Sequence, residues 1–217
     1  LFNFPRIPGG IAFETFIEKQ TTMKKQFAGF CAALSFFSLG LSAQKAQSDS
    51  SLTFIERYYK IKDSYKGMTD VHGSYAGSNY SMEEYMKRYN AFKDSYPSLE
   101  KHSAHFAASK NSQKEFEKRF FEIQKVYPKL SEIYGEYAAG SNTLNDFMTR
   151  YHQIKDSYPK MDGVVYGAYA SGNHKLDDFV KRYYAIKDAY PKNKEVYEEF
   201  AASNVPLDKN SLNVGAK

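Results

Sequence analysis

Tryptophan is absent from this 217-residue chain, and cysteine occurs once, at Cys31. One thiol can neither close an intramolecular disulfide nor build a cysteine zinc site, so packing must hold the fold. No apolar run reaches the roughly 20 residues of a membrane-spanning helix. The longest extends from Phe27 to Leu41. A glycine-rich phosphate loop, a Gly-x-Ser-x-Gly elbow and a His-Glu-x-x-His pattern are all missing. Of the five histidines (His72, His102, His105, His152 and His174), His102 and His105 share a helix face at i and i+3. A bare pair offers too few donors for a firm metal site. The expectation is a protein with no cofactor, no bound metal and no enzyme activity.

Aromatic residues are plentiful instead, with 19 Tyr and 17 Phe. Tyrosine joins an apolar ring to a polar tip, which suits surfaces half buried and half wet. A hydrophobic share of 42% is enough for a packed core. The formal charge of +5 is unevenly placed. Met23-Lys24-Lys25 begins a basic segment, the apolar run follows, and Gly40, Ser42 and Ala43 precede polar sequence from Gln44. That order describes a secretory signal peptide over residues 23–43, cleaved near Ser42/Ala43. On this reading residues 1–22 are an upstream extension, 44–51 form a linker, and the protein is secreted or periplasmic. The mature chain would have no membrane span. Processing would remove four of the 30 basic residues (Arg6, Lys19, Lys24, Lys25) and two of the 25 acidic ones (Glu14, Glu18), leaving a net +3. So balanced a chain is not expected to bind nucleic acid.

Three ladders run through the remainder. Arg57, Arg88, Arg119, Arg150 and Arg182 recur at intervals of 31, 31, 31 and 32 residues. Tyr65, Tyr96, Tyr127, Tyr158 and Tyr190 keep those intervals, and Tyr75, Phe106, Tyr137, Tyr169 and Phe200 advance in step. Tandem repetition settles the architecture before any local feature does. Five units are delimited, at 52–80, 81–111, 112–142, 143–174 and 175–204, with a disordered tail at 205–217.

The first half of each unit reads as a helix. Tyr85, Tyr89, Phe92 and Tyr96 lie on one face, as do Phe147, Tyr151, Ile154 and Tyr158. Ser81 with Glu84 and Ser112 with Glu115 fit a capping box, and Thr143 with Asp146 a weaker one. Pro97, Pro128, Pro159 and Pro191 follow the ladder tyrosine and mark the stop; Lys66 and Gly67 replace the proline in the first unit. The second half reads as a shorter helix, whose last aromatic is always followed by alanine: Ala76, Ala107, Ala138, Ala170, Ala201. A small polar segment ending at Asn79, Asn111, Asn142, Asn173 or Asn204 suits a turn. The stretch Tyr166-Gly167-Ala168-Tyr169-Ala170-Ser171-Gly172 resembles, in architecture, the helical hairpins of Sel1-like and tetratricopeptide repeats, at a shorter period.

Helices this short cannot stand alone, so each hairpin must stack on its neighbours. The expected class is all-α: tandem α-hairpin repeats forming an α-solenoid or a compact helical-repeat array. Two roles are open to the arginine ladder. Arg57, Arg88, Arg119, Arg150 and Arg182 could line a binding surface, or could form inter-repeat salt bridges with Asp63, Asp94, Asp156 and Asp188. The third unit has Lys125 at the aspartate position. Off the core face, Tyr59 and Tyr184 correspond to Asn90, Phe121 and His152, which is not a constant stacking platform. The favoured function is a non-enzymatic scaffold for an unknown protein or extracellular polymer. A self-associating envelope protein is the alternative, and a small-ligand or hydrolytic domain comes last.

Overall fold

The computed structural model describes residues 51–208, so the signal-peptide reading and the final nine residues lie outside the described residues. Among the described residues there are ten α-helices and no strands. Five longer helices are α1 (Phe54–Ser64), α3 (Met82–Ser95), α5 (Gln113–Val126), α7 (Leu144–Ser157) and α9 (Leu176–Ala189). Each is followed by a shorter one: α2 (Thr69–Gly77), α4 (Ser103–Ala108), α6 (Tyr134–Ala139), α8 (Gly163–Ser171) and α10 (Tyr197–Ala202). A 3₁₀ segment leads into α4, α6 and α10. No helix among them is long and apolar enough to cross a membrane.

The ends of the long helices follow from the sequence. Ser81, Ser112 and Thr143 accept the backbone N–H of Glu84, Glu115 and Asp146. The full reciprocal box forms at Thr53, where Glu56 reaches back to the Thr53 N–H at 2.9 Å. Each ladder tyrosine is the residue after the last helical turn, with φ between −126° and −135°. Tyr65 adopts this geometry without a following proline. The stop therefore lies in the tyrosine's own seat, and proline is compatible rather than necessary. Tyr134, Tyr166 and Tyr197 donate from their hydroxyls to the carbonyls of Tyr127, Tyr158 and Tyr190, and His72 Nε2 makes the equivalent contact with Tyr65.

Each long helix packs on the short helix after it, and the short helices contact one another in chain order, α2 to α10. The last then meets the first: α10 contacts α2. Phe54 and Phe200 meet edge to face at 5.1 Å, and the Tyr58 hydroxyl donates to Glu195 at 2.6 Å. Phe54, Tyr58 and Ala76 share one buried cluster with Ile186, Val196, Tyr197, Phe200 and Leu207. An open solenoid would leave the apolar faces of both terminal hairpins in water; here they cover each other.

The start of the expected disordered tail is also ordered. The Pro206 and Leu207 carbonyls accept the Phe54 and Ile55 N–H groups at 2.8 and 3.3 Å, and Leu207 is buried. The first N–H groups of a helix lack intrahelical partners. Residues 205–208 supply them to α1, at the position where a sixth unit would begin.

Candidate functional site

The arginine ladder is fixed by backbone carbonyls. Each guanidinium donates from Nη2 to the carbonyl of the aromatic near the end of its following short helix: Tyr75, Phe106, Tyr137, Tyr169 or Phe200. It donates again to the carbonyl five residues later: Tyr80, Asn111, Asn142, His174 or Val205. The same guanidinium lies 4.0 to 4.6 Å from the centre of that aromatic ring. The last carbonyls of a helix have no intrahelical donor, so arginine both caps the short helix and ties down the chain leaving it. Arg57 is 2% exposed and Arg119 9%, whereas Asp63, Asp94, Asp156 and Asp188 are all exposed. These hydrogen bonds run within a hairpin and to the segment leaving it.

Successive units are joined by the residue whose carbonyl each of the first four arginines holds. The Tyr80 hydroxyl donates to Ser109 O at 2.9 Å, Asn111 Nδ2 to Ala138 O at 2.8 Å, and Asn142 Nδ2 to Ala170 O at 2.7 Å. His174 Nε2 contacts Ser203 O at 2.9 Å. Four side chains of three kinds thus reach the next short helix's C-terminal end from one repeat position. Sequence reasoning missed this, because it follows the position and not the residue type.

The short helices line an open polar pocket of about 190 Å³, with Ser74, His105, Glu136, Glu199 and small residues at the helix ends. These four occupy one repeat position, immediately before the ladder aromatic; Ala168 is the fifth member. Two glycines allow the crowding. A Cβ on Gly135 would stand 2.8 Å from His105 Nδ1 and 2.9 Å from His102 Nδ1, and one on Gly73 would stand 2.9 Å from Glu199 Cγ. Each side chain lies across the small residue of the next helix.

His105 Nε2 sits 3.4 Å from Glu136 Oε1, and Ser171 donates to Glu136 Oε2 at 3.3 Å. Burial opposes charge on His105, but its hydrogen bond to Glu136 and the fields of Glu136, Glu199 and Asp70 hold its pKa above the ordinary histidine value. Burial, reinforced by Glu136, pushes Glu199 up to about 8, while His105 pulls it down. Burial likewise raises Glu198 to about 7 and lowers His102 to about 4. Both His102 ring nitrogens lack partners, at a position that Val71, Ile133, Val165 and Val196 occupy elsewhere. The pocket can hold a proton or a positively charged group. Among the described residues no group of three or more His, Cys, Asp or Glu side chains is arranged to hold a metal.

On the outside, Tyr59, Phe121 and Tyr184 are exposed at one repeat position, alongside exposed Asn90 and His152. Compared with known proteins, the chain matches no family model, no curated sequence and no solved structure.

Proposed function

We propose that the chain is an exported, non-enzymatic scaffold in which five hairpin units close into a ring, and that its outer face binds a protein or an extracellular polymer. The observation carrying this reading is the series Tyr59, Phe121 and Tyr184, each more than 40% exposed although its ring meets that of the preceding residue edge to face. Repetition sets such side chains at quasi-equivalent places, which suits attachment at several points. Aromatic rings supply much contact area at little cost in side-chain entropy. The arginines are set aside as the binding row because each Nη2 is engaged by carbonyls of its own hairpin and the segment leaving it. Secretion rests on the residue 23–43 pattern.

A pull-down from the extracytoplasmic fraction tests this reading, comparing the natural chain with a Tyr59→Ser, Phe121→Ser, Tyr184→Ser variant of unchanged circular dichroism. Selective loss of a captured component supports the outer face. Equal capture by both proteins overturns it. A concentration-dependent rise in mass, abolished by the same variant, would identify the partner as a second copy.

A further inference from the structure

We propose that the seam between the second and third units is an acid-sensitive joint, which stays shut while the His102 ring is uncharged and loosens when that ring takes a proton. His102 is 7% exposed and has no partner for either ring nitrogen. Its neighbours across the seam belong to the third unit. The Phe120 ring of α5 lies 4.7 Å away, and His102 Nδ1 is 2.9 Å from where a Cβ on Gly135 of α6 would stand. Other units place Val71, Ile133, Val165 and Val196 at this position, so the seat is an apolar one. Charging an imidazole there, with no acceptor for its N–H groups, is costly.

The groups around His102 give a charge no relief. Burial opposes its protonation first, followed by the charges of His105 and Lys101 from its own hairpin, and these hold it at about 4. Across the seam α5 presents the Phe120 ring and α6 the Gly135 backbone, neither of them charged. Glu136, the next residue of α6, is engaged with His105, on which Glu199 and Asp70 also act. His105 Nδ1 is itself buried without a partner, 2.8 Å from the same Gly135 Cβ position. Two charged rings would therefore meet over one glycine.

The second hairpin also lacks a tether that the other four have. His72, Tyr134, Tyr166 and Tyr197 each tie the start of a short helix to the carbonyl of a ladder tyrosine. Ser103 holds that position in the second unit, and its fully buried Oγ has no partner. The missing tether and the buried histidine fall on adjacent residues, which places the loosening at α4.

His102 is depressed in the closed seam and returns to its ordinary 6.5 once water reaches the ring. The closed form therefore loses favour as pH falls below 6.5, and the loss levels off near 4. His105 and Glu199 work in the opposite sense, because both are raised in the folded protein. A His102→Val variant keeps those two groups and isolates the histidine.

The test is amide hydrogen exchange of the whole chain at pH 7 and pH 5, natural against His102→Val, read at α4 with α8 as the internal control. The opening constant of the natural chain relative to the variant should rise about 20-fold at α4 between the two pH values, and far less at α8. An unchanged ratio at α4, or an equal rise at α8, overturns the joint. Titration of the His102 ring by NMR in the natural chain gives a readout that no variant's folding can disturb. A midpoint near 4 supports the proposal, and one at or above 6.5 overturns it.

Discussion

Arg119 holds Tyr137 from two directions. Its guanidinium lies 4.1 Å from the centre of the tyrosine ring and donates to the same residue's carbonyl at 2.8 Å. The arrangement recurs at all five arginines, which makes it the common fastening of every hairpin.

Removing that fastening should be costly. Arg119→Gln shortens the side chain, leaving the Tyr137 and Asn142 carbonyls without their donor in a buried place. A loss of about 2–4 kcal/mol is expected in urea unfolding. Asp156→Asn, at an exposed position, should change stability by less than about 0.5 kcal/mol. Comparable losses from both would restore the arginine–aspartate pairing.

Close approach of the short helices supplies a second prediction. Gly135→Val places branched carbon where His105 Nδ1 and His102 Nδ1 already crowd the backbone. Overpacking of this kind costs about 1–3 kcal/mol. Gly67→Ala, with open space around it, should be nearly neutral in the same assay. A neutral Gly135→Val would show that the helices are not held at this distance.

Stability should also depend on pH through the pocket. Glu199 rises to about 8 in the folded protein from its usual 4.5. Between those values the folded chain holds a proton that the unfolded chain has released, so stability falls as pH rises. His105 acts in the same direction, since a raised histidine loses its stabilising charge as pH passes its folded value. Glu199→Gln should therefore gain on the natural chain between pH 5 and about 8, followed by urea midpoints. Parallel curves for the two proteins would remove Glu199 from the account.

Much of the helical content is legible in the sequence because it rests on local chemistry. Ser81, Ser112 and Thr143 cap the helices they precede, and Tyr85, Tyr89, Phe92, Phe147, Tyr151 and Ile154 are buried as their spacing requires. What stayed hidden depends on contacts between distant residues. The arginine partners are carbonyls, and a carbonyl carries no mark in a sequence. The step from Asn111 to His174 or Tyr80 conceals a shared role, because three unlike side chains can each donate one hydrogen bond. The pocket was hidden for a similar reason: Ser74, His105, Glu136 and Glu199 look unrelated until the short helices bring one repeat position together.

Junction chemistry separates the closing contact from the other four. Val205 has no side-chain donor, so the last unit cannot grip the first as Asn111 grips α6. Tyr58 with Glu195, and the carbonyls of Pro206 and Leu207, take over. Ending the chain after Asn204 should then cost about 1–4 kcal/mol, for the buried Leu207 side chain and two hydrogen bonds. Unchanged stability on truncation would show that residues 205–208 are not a clasp.

The account turns on whether the two ends of the repeat array meet, and amide hydrogen exchange at Phe54 and Ile55 reads that contact directly. Both lie in the first turn of a helix, where N–H groups ordinarily exchange quickly for want of a partner. With Pro206 and Leu207 as acceptors, they should be protected in the full chain and lose protection when it ends at Asn204. Rapid exchange at both amides in the full chain would contradict the closed ring.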